Sequence, residues 1–427
     1  MASMIKTFLH KLKLAVQDPS IRNRLLFVLG MLLVFRALAV IPIPGIDVVA
    51  LEEFFNNNQF LGLLNIFSGG GLANLSIVML GLSPYITASI IMQLLTVMSP
   101  KLKALYSEEG EIGRKKFAMY SRWLAVPLAL TQGFGFLVLL TRQGIVANTD
   151  ILTFVVNVLV ISAGSLLLMW LGELITEFGI GNGVSLLIFA GIVASLPTTV
   201  NQLLFSFDVS QLPLYLGFTL AAIIITYAVV VITEAERPIP ITYAKQARSG
   251  QISGGVSTYL PIRLNQAGVI PIIFALSMLL LPQMLFNFAQ GVGIAWINNV
   301  GTKVTEFLAN QWVYAGIYFV LVFIFTYFYT AVTFDPDQIA KNLQKSGAFV
   351  PGVRPGVSTS EYIGDILTRL TLVSALFLGL IAVLPLAMQA ATGITAFAIG
   401  GTSLLIAVSV VLDLIRKVEA QLSIREY

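Results

Sequence analysis

Apolar runs long enough to cross a bilayer recur from one end of this chain to the other, and no other feature narrows its fold so far. A helix needs about 20 apolar residues to span the hydrocarbon core. Ten such runs can be marked, over residues 25–43, 75–97, 117–140, 151–171, 184–204, 214–232, 267–288, 312–334, 367–388 and 394–415. Lipid offers no water to an unpaired backbone group, so runs of this kind must be helices. With 57% of residues hydrophobic and 11% charged, the expected class is an all-α polytopic membrane protein.

Residues 1–20 carry Ile5, Phe8, Leu9, Leu12 and Val16 at helical spacing against Lys6, Lys11 and Lys13. That pattern predicts a cytoplasmic amphipathic helix lying in the membrane interface. No A-x-A cleavage site follows a short apolar core, so no removable signal peptide is expected. No further domain is expected after residue 415.

Lysine and arginine set the orientation, because short loops rich in them stay on the cytoplasmic side. With the N-terminus inside, only Arg36, Arg142 and Lys303 of the 25 basic residues fall outside or near the outer ends. Both termini are then cytoplasmic, and the net charge of +4 adds little to this bias. Dividing the chain into 21–203 and 204–427 leaves five spans in each half. An odd number inverts the second half relative to the first, a common transport architecture with the working site between the halves. No residue-level repeat accompanies that topology.

Between the first two spans stands a short apolar segment, Leu61, Leu63, Leu64, Asn65, Ile66 and Phe67, followed by Ser68 and the triple glycine Gly69, Gly70 and Gly71. It is too short to cross lipid, so it must sit inside protein or line a watery cavity. A re-entrant half-helix beside glycine-rich backbone suggests a pore or transport site. Glycine tolerates many backbone conformations, which suits a hinge; a surface loop with one helical turn is the plainer reading.

Two inner loops, 234–266 and 335–366, are far longer than the rest. In the second, residues 335–346 read as a short capped helix, and Pro351, Gly352, Pro355 and Gly356 hold Arg354 at a rigid bend. A fixed guanidinium suits a carboxylate or phosphate partner; alone, it equally suits a solvated loop whose arginine fixes topology.

Several stretches now point one way. They are FRALAVIPIPG from Phe35, FSGGGL from Phe67, SPYITASIIMQ from Ser83, GIGNG from Gly179, GVIPIIF from Gly268, the 334–356 loop, and GGTSLLI from Gly400. In order and across ten spans, these resemble the SecY family, the pore subunits of the bacterial protein-conducting channel. The resemblance implies ten helices in two inverted halves around an hourglass pore in the bacterial cytoplasmic (inner) membrane, with the segment of about 61–72 as a re-entrant plug.

It further implies a constriction of aliphatic side chains at Leu82, Ile86, Val184, Ile188, Ile273 and Ile406. Any one of these would by itself be ordinary packing. A narrow apolar neck suits the task because it offers no charge to a passing chain and can dewet against ions. A lateral gate is implied between spans two and three and spans seven and eight, with polar positions at Thr87, Gln93 and Asn265; for Thr87 an ordinary helical hydrogen bond serves equally. Such a gate would release apolar segments into lipid, where a Leu-rich 20-mer gains roughly 6–12 kcal/mol and each central Arg or Asp costs about 2.5–3.5.

No G-x-x-x-x-G-K-[ST] phosphate loop is present, so a partner must push. The resemblance names the SecA ATPase or a translating ribosome, docking at Arg354, Arg248, Lys341 and Lys345, with SecE and SecG as membrane partners. Secretory chains, signal peptides and lipids complete the set; nucleic acid is expected only as ribosomal RNA at the docking loops. The first loop lacks the arginine-rich tip of many relatives and reads RSGQISGG from Arg248.

Competing chemistry finds little support. The glycines at 179, 181 and 183 join two spans and lack a nucleotide fold's strand–turn–helix setting, so they read as a tight turn. The single histidine is His10 and cysteine is absent, so neither a metal, a cofactor nor enzymatic activity is expected. A secondary transporter fits the topology but would surround its substrate with polar or ionisable ligands.

Overall fold

The computed structural model describes residues 17–44, 68, 70–72, 74–107, 109–142, 144–146, 150–205, 212–243, 246–248, 251–253, 257–290, 301, 303–304, 307, 310–392 and 395–423. The amphipathic helix expected over 1–20 lies outside them except for its last four residues. Each of the ten apolar runs overlaps a single helix, the second of them only in part.

The first helix, α1 (Pro19–Leu38), opens on Asp18, whose carboxylate accepts from the Ser20 amide at 2.9 Å, with Pro19 at the first helical position. It ends ahead of Pro42 and Pro44, which cannot continue a helix. The chain then runs extended beside residues 75–77: Ile43 N–H donates to Leu75 O and Ile77 N–H to Ile41 O, both at 3.0 Å.

That pairing corrects the second span. The apolar run begins at 75, yet α2 (Ser83–Met98) starts eight residues later. Residues 75–82 form consecutive buried turns in which the N–H groups of Leu75, Met79, Gly81 and Ser83 reach the carbonyls three residues back. Leu75 and Gly81 both have positive φ, +41° and +57°, and Pro84 restarts the helix. Non-helical backbone at membrane depth survives only where protein satisfies it, and here the N–H groups of Leu75, Ser76, Ile77, Met79, Gly81 and Ser83 all find carbonyl partners within the protein.

Next come α3 (Pro100–Ser107), α4 (Gly110–Arg142), α5 (Ile151–Phe178), α6 (Gly183–Phe205) and α7 (Leu212–Glu234). After the first long inner loop follow α8 (Ile270–Gln290), α9 (Gln311–Thr333), the short α10 (Pro336–Lys345), α11 (Val357–Thr392) and α12 (Thr395–Ser423). Of these, α4, α5, α7, α9 and α11 carry continuous stretches long and apolar enough to cross a membrane. Exposed Leu26, Leu29 and Leu33 on α1, and Leu216, Leu220, Ile223, Ile224 and Tyr227 on α7, make surfaces that only lipid or another apolar partner would tolerate.

In the first half α5 packs against α1, α2, α4 and α6; in the second α11 packs against α9 and α12, with α8 on α9 and α7 on α12. The halves meet along two seams, α8 against α2 and α4, and α12 against α6. One apolar core runs through both seams.

The two long loops expected on the inner side are not separate. They fold together into a small sheet of β1 (Glu236–Tyr243), β4 (Ser257–Arg263) and β5 (Ala348–Phe349) in the order β4-β1-β5, with β2 (Gln246–Arg248) and β3 (Gln251–Ser253) as a second hairpin. The Leu264 N–H bond to Ala235 O at 2.8 Å fixes the ladder's parity. With Pro238 opposite Pro261 and Pro240 opposite Tyr259, all three prolines fall on pairs whose backbone groups point away from each other, so no bond of this ladder is lost. Ile239 and Ile262 from the first loop bury against Val350, Ile363, Ile366 and Leu367 from the second. The second loop also ends earlier than expected: α11 begins at Val357, ten residues before the apolar run.

The short helix expected over 335–346 is present as α10. Asp335 caps it, its Oδ1 accepting from the amides of Asp337 at 3.0 Å and Gln338 at 3.4 Å. Loss of such a cap costs about 1 kcal/mol, so Asp335→Ala should speed amide exchange in α10 about fivefold, tenfold being 1.4 kcal/mol. Unchanged exchange would show that α10 is held by packing on α11 alone.

Candidate constriction and docking loops

The six aliphatic positions lie on the helices that make the seams. Leu82 is the N-cap residue of α2 and Ile86 lies one turn on; Val184 and Ile188 occupy the first turns of α6; Ile273 lies at the start of α8 and Ile406 inside α12. Each half thus contributes from both seams. Leu82, Ile86, Ile188, Ile273 and Ile406 are at most 5% exposed and Val184 is half-buried, and all six belong to the one core that crosses the seams. Among the described residues no Asp, Glu, Lys, Arg or His side chain is buried, so the centre offers no fixed charge.

The three polar positions expected at the gate do not bond across the α2/α8 seam. Thr87 Oγ1 donates to Ser83 O at 2.9 Å within α2. Gln93 Nε2 donates to Ser89 Oγ at 3.4 Å, and its Oε1 is buried without a partner. Asn265 donates to Gly268 O and accepts from Ser374 Oγ of α11, both at 3.3 Å, so it ties together elements of one half. The described part of the seam is closed by apolar packing, behind which Phe274 of α8 makes edge contacts with Phe325 and Tyr329 of α9.

Of the segment expected to be a plug, Leu61, Leu63, Leu64, Asn65, Ile66, Phe67 and Gly69 lie outside the described residues. Ser68, Gly70 and Gly71 form its root. Leu72 N–H donates to Ser68 Oγ at 2.9 Å, and Ser76 N–H to Gly71 O at 2.9 Å. A Cβ on Gly71 would lie 2.8 Å from Ser76 Oγ, and one on Gly70, whose φ is +84°, 3.5 Å from Arg36 Nη1. At this root the glycines permit close approach of backbone rather than looseness. They also seat Arg36, whose neighbour the sequence does not reveal.

On the face that carries the two long loops, Arg354 is exposed between two Pro-Gly turns whose glycines, Gly352 and Gly356, have φ of +84° and +100°. Its carbonyl accepts from Thr359 Oγ1 at 2.8 Å, which pins the bend to the first turn of α11. Lys341 and Lys345 are exposed four residues apart on α10. Arg248 lies on β2; its side chain is outside the described set. Ion pairs tie neighbouring helices near this face: Arg122 of α4 to Glu173 of α5 at 2.6 Å, and Arg416 of α12 to Glu234 of α7 at 2.7 Å. The string from Gly179 to Gly183 is a tight turn, with Thr176 Oγ1 accepting from Gly183 N–H at 2.8 Å.

The sequence profile of the SecY family matches residues 76–415. The protein translocase subunit SecY of Mycobacterium tuberculosis is 40% identical over 446 residues, covering 99% of this chain and 99% of its own. The SecY of Synechocystis is 41% identical over 417 residues, covering 96% and 94%. The chain belongs to the SecY family. Solved structures share its fold. A protein-conducting channel aligns with a TM-score of 0.65 at 18% identity over 92% of this chain and 91% of that one. A SecY whose plug domain stabilises the closed channel aligns at 0.64 and 20%, over the same shares. Sec61 in a canine ribosome–channel complex aligns at 0.61 and 18%, again over 92% and 91%. This SecY-family chain is thus a multi-pass membrane protein of a channel family rather than an enzyme family. The joint fold of its two long loops leaves only a faint trace in the sequence, the alternating apolar residues Ile239, Ile241, Leu260 and Ile262.

Proposed function

We propose that this chain is the central subunit of a protein-conducting channel of the bacterial cytoplasmic membrane, both termini inside. The convergence of aliphatic side chains from the four seam helices into one charge-free core carries the reading. Leu82, Ile86, Val184, Ile188, Ile273 and Ile406 then form the neck, with the 61–71 segment closing it from outside. Aliphatic groups dewet against ions at rest and yield to any sequence in transit. The α2/α4 and α8 seam is the lateral exit. A seam closed mainly by packing suits a gate, because among the described residues no bonded network must be broken for α8 to swing away, and polar contacts between membrane helices average under about 1 kcal/mol in any case. Thr87, Gln93 and Asn265 tune the helices that border it.

Drive comes from outside the chain, from SecA or a translating ribosome on the Arg354 bend, Lys341, Lys345 and the Arg248 hairpin; SecE and SecG complete the membrane complex. The test is a photo-crosslinking residue at position 188 or 406 of the assembled channel, engaged by a stalled secretory chain. Crosslinks at both positions, and none from position 224 on the outer face of α7, are the expected result. Adducts at 224 but at neither ring position would refute the reading.

A further inference from the structure

We infer that Gly164 and Ser165 of α5 are positioning residues for Leu82 and Ile86, and through them for the constriction. The inference rests on the neck assignment above. It starts from residues 75–82, which are as apolar as a helix and yet unwound. A segment with positive φ at Leu75 and Gly81 has many alternative packings, so something must select one.

The selection is made by two adjacent small residues on a neighbouring helix. Ser165 Oγ donates to Gly81 O at 2.7 Å, a buried bond across 84 positions of sequence, to the carbonyl directly before Leu82. Gly164 takes the Ile77 carbonyl against its Cα: a Cβ there would overlap Ile77 O, lie 2.8 Å from Ile77 C and 3.3 Å from Val78 Cγ1. The unwound stretch is therefore held at both ends, at 77 by shape and at 81 by a hydrogen bond. Ser162, one turn earlier on α5, donates to Val158 O at 2.7 Å and to Ala129 O of α4 at 3.2 Å, which fixes α5 itself. From Gly81 the path to the neck is short and stiff. Leu82 is the N-cap residue, Pro84 sets the first turn, and Ile86 N–H donates to Leu82 O at 2.9 Å. Depth and orientation of both side chains follow from where the 77–81 backbone sits on α5.

The chain has no cysteine, so a single Leu82→Cys reports on the neck and a single Val322→Cys, fully buried in α9 of the other half, on general loosening. Both are placed in the assembled channel in membrane vesicles and labelled with a small water-soluble maleimide. Ser165→Ala leaves the Gly81 carbonyl buried and unpaired, which should speed labelling at 82 by roughly tenfold with no change at 322. Ser165→Thr keeps the hydroxyl and should restore protection. Gly164→Ala must push the 77 carbonyl aside and should act at least as strongly, whereas Gly217→Ala, with open space around it, should do nothing. Should Gly164→Ala fail to insert, the Ser165 pair decides alone. Unchanged labelling at 82 in Ser165→Ala, or an equal rise at 322, overturns the inference. Faster labelling at 82 without added ion conductance upholds the positioning role and removes Leu82 from the seal, so the two readings fail separately.

Discussion

The double substitution Ile188→Asn with Ile406→Asn is expected to make resting channels leak ions at least about tenfold faster than the parent, 1.4 kcal/mol being a factor of ten. Both side chains are 1% exposed in the core that crosses the seams. An amide placed there without partners costs about 1–3 kcal/mol, and water entering the neck is the cheapest relief. Two such groups from helices of opposite halves act on the same column of water, so their effects should exceed the sum of the single variants. Ile188→Val with Ile406→Val removes volume without polarity, about 0.5–1.5 kcal/mol per site, and should leave the membrane tight. Ile224→Asn, on the exposed face of α7, should also be silent. Conductance through reconstituted vesicles decides: a tight Asn double variant would mean that the neck lies elsewhere, and a leaky Ile224→Asn would mean that any polar group loosens the bundle.

How far this fold is written in the sequence depends on whether the deciding contact is local. Span number and identity follow from runs of apolar residues, a property each helix carries by itself. The start of α2 does not, because residues 75–82 are as apolar as those after them; the groups that meet them in the unwound form are distant in sequence, Ile41 and Ile43 beyond α1 and Gly164 and Ser165 on α5. The inner sheet is hidden for a related reason. Pro238, Pro240 and Pro261 read as strand breakers, and only the register shows that they fall where no ladder bond is needed. Asn265 and Gln93 stand out as amides in apolar surroundings, but one of the former's two partners is 109 residues distant. The six positions proposed for the neck are indistinguishable from packing one at a time. The family resemblance groups them in the sequence, and in the structure they share one apolar core.

Arg354→Glu should weaken binding of the driving partner by at least about thirtyfold and nearly abolish transport, since disturbing one member of a tight intermolecular charge pair costs about 2–5 kcal/mol. The size of the effect follows from how the residue is held. A guanidinium on a flexible loop would lose much of its contact to side-chain and loop entropy. This one stands on a bend fixed by two Pro-Gly turns and by the Thr359 bond to its own carbonyl, and the bend rests on the core that joins both inner loops. Thr359→Ala leaves the charge and frees the bend, so it should give a smaller loss, several-fold in affinity at about 1 kcal/mol. Lys341→Glu and Lys345→Glu, on exposed α10, should act mainly through association rate and fade with salt. Binding to membranes carrying each variant, measured at two ionic strengths, separates these cases. The resting seal should stay intact in all of them, because the proposed neck positions and the core under the Arg354 bend belong to separate clusters among the described residues; a leak in Arg354→Glu, or full affinity in it, would contradict that division of labour.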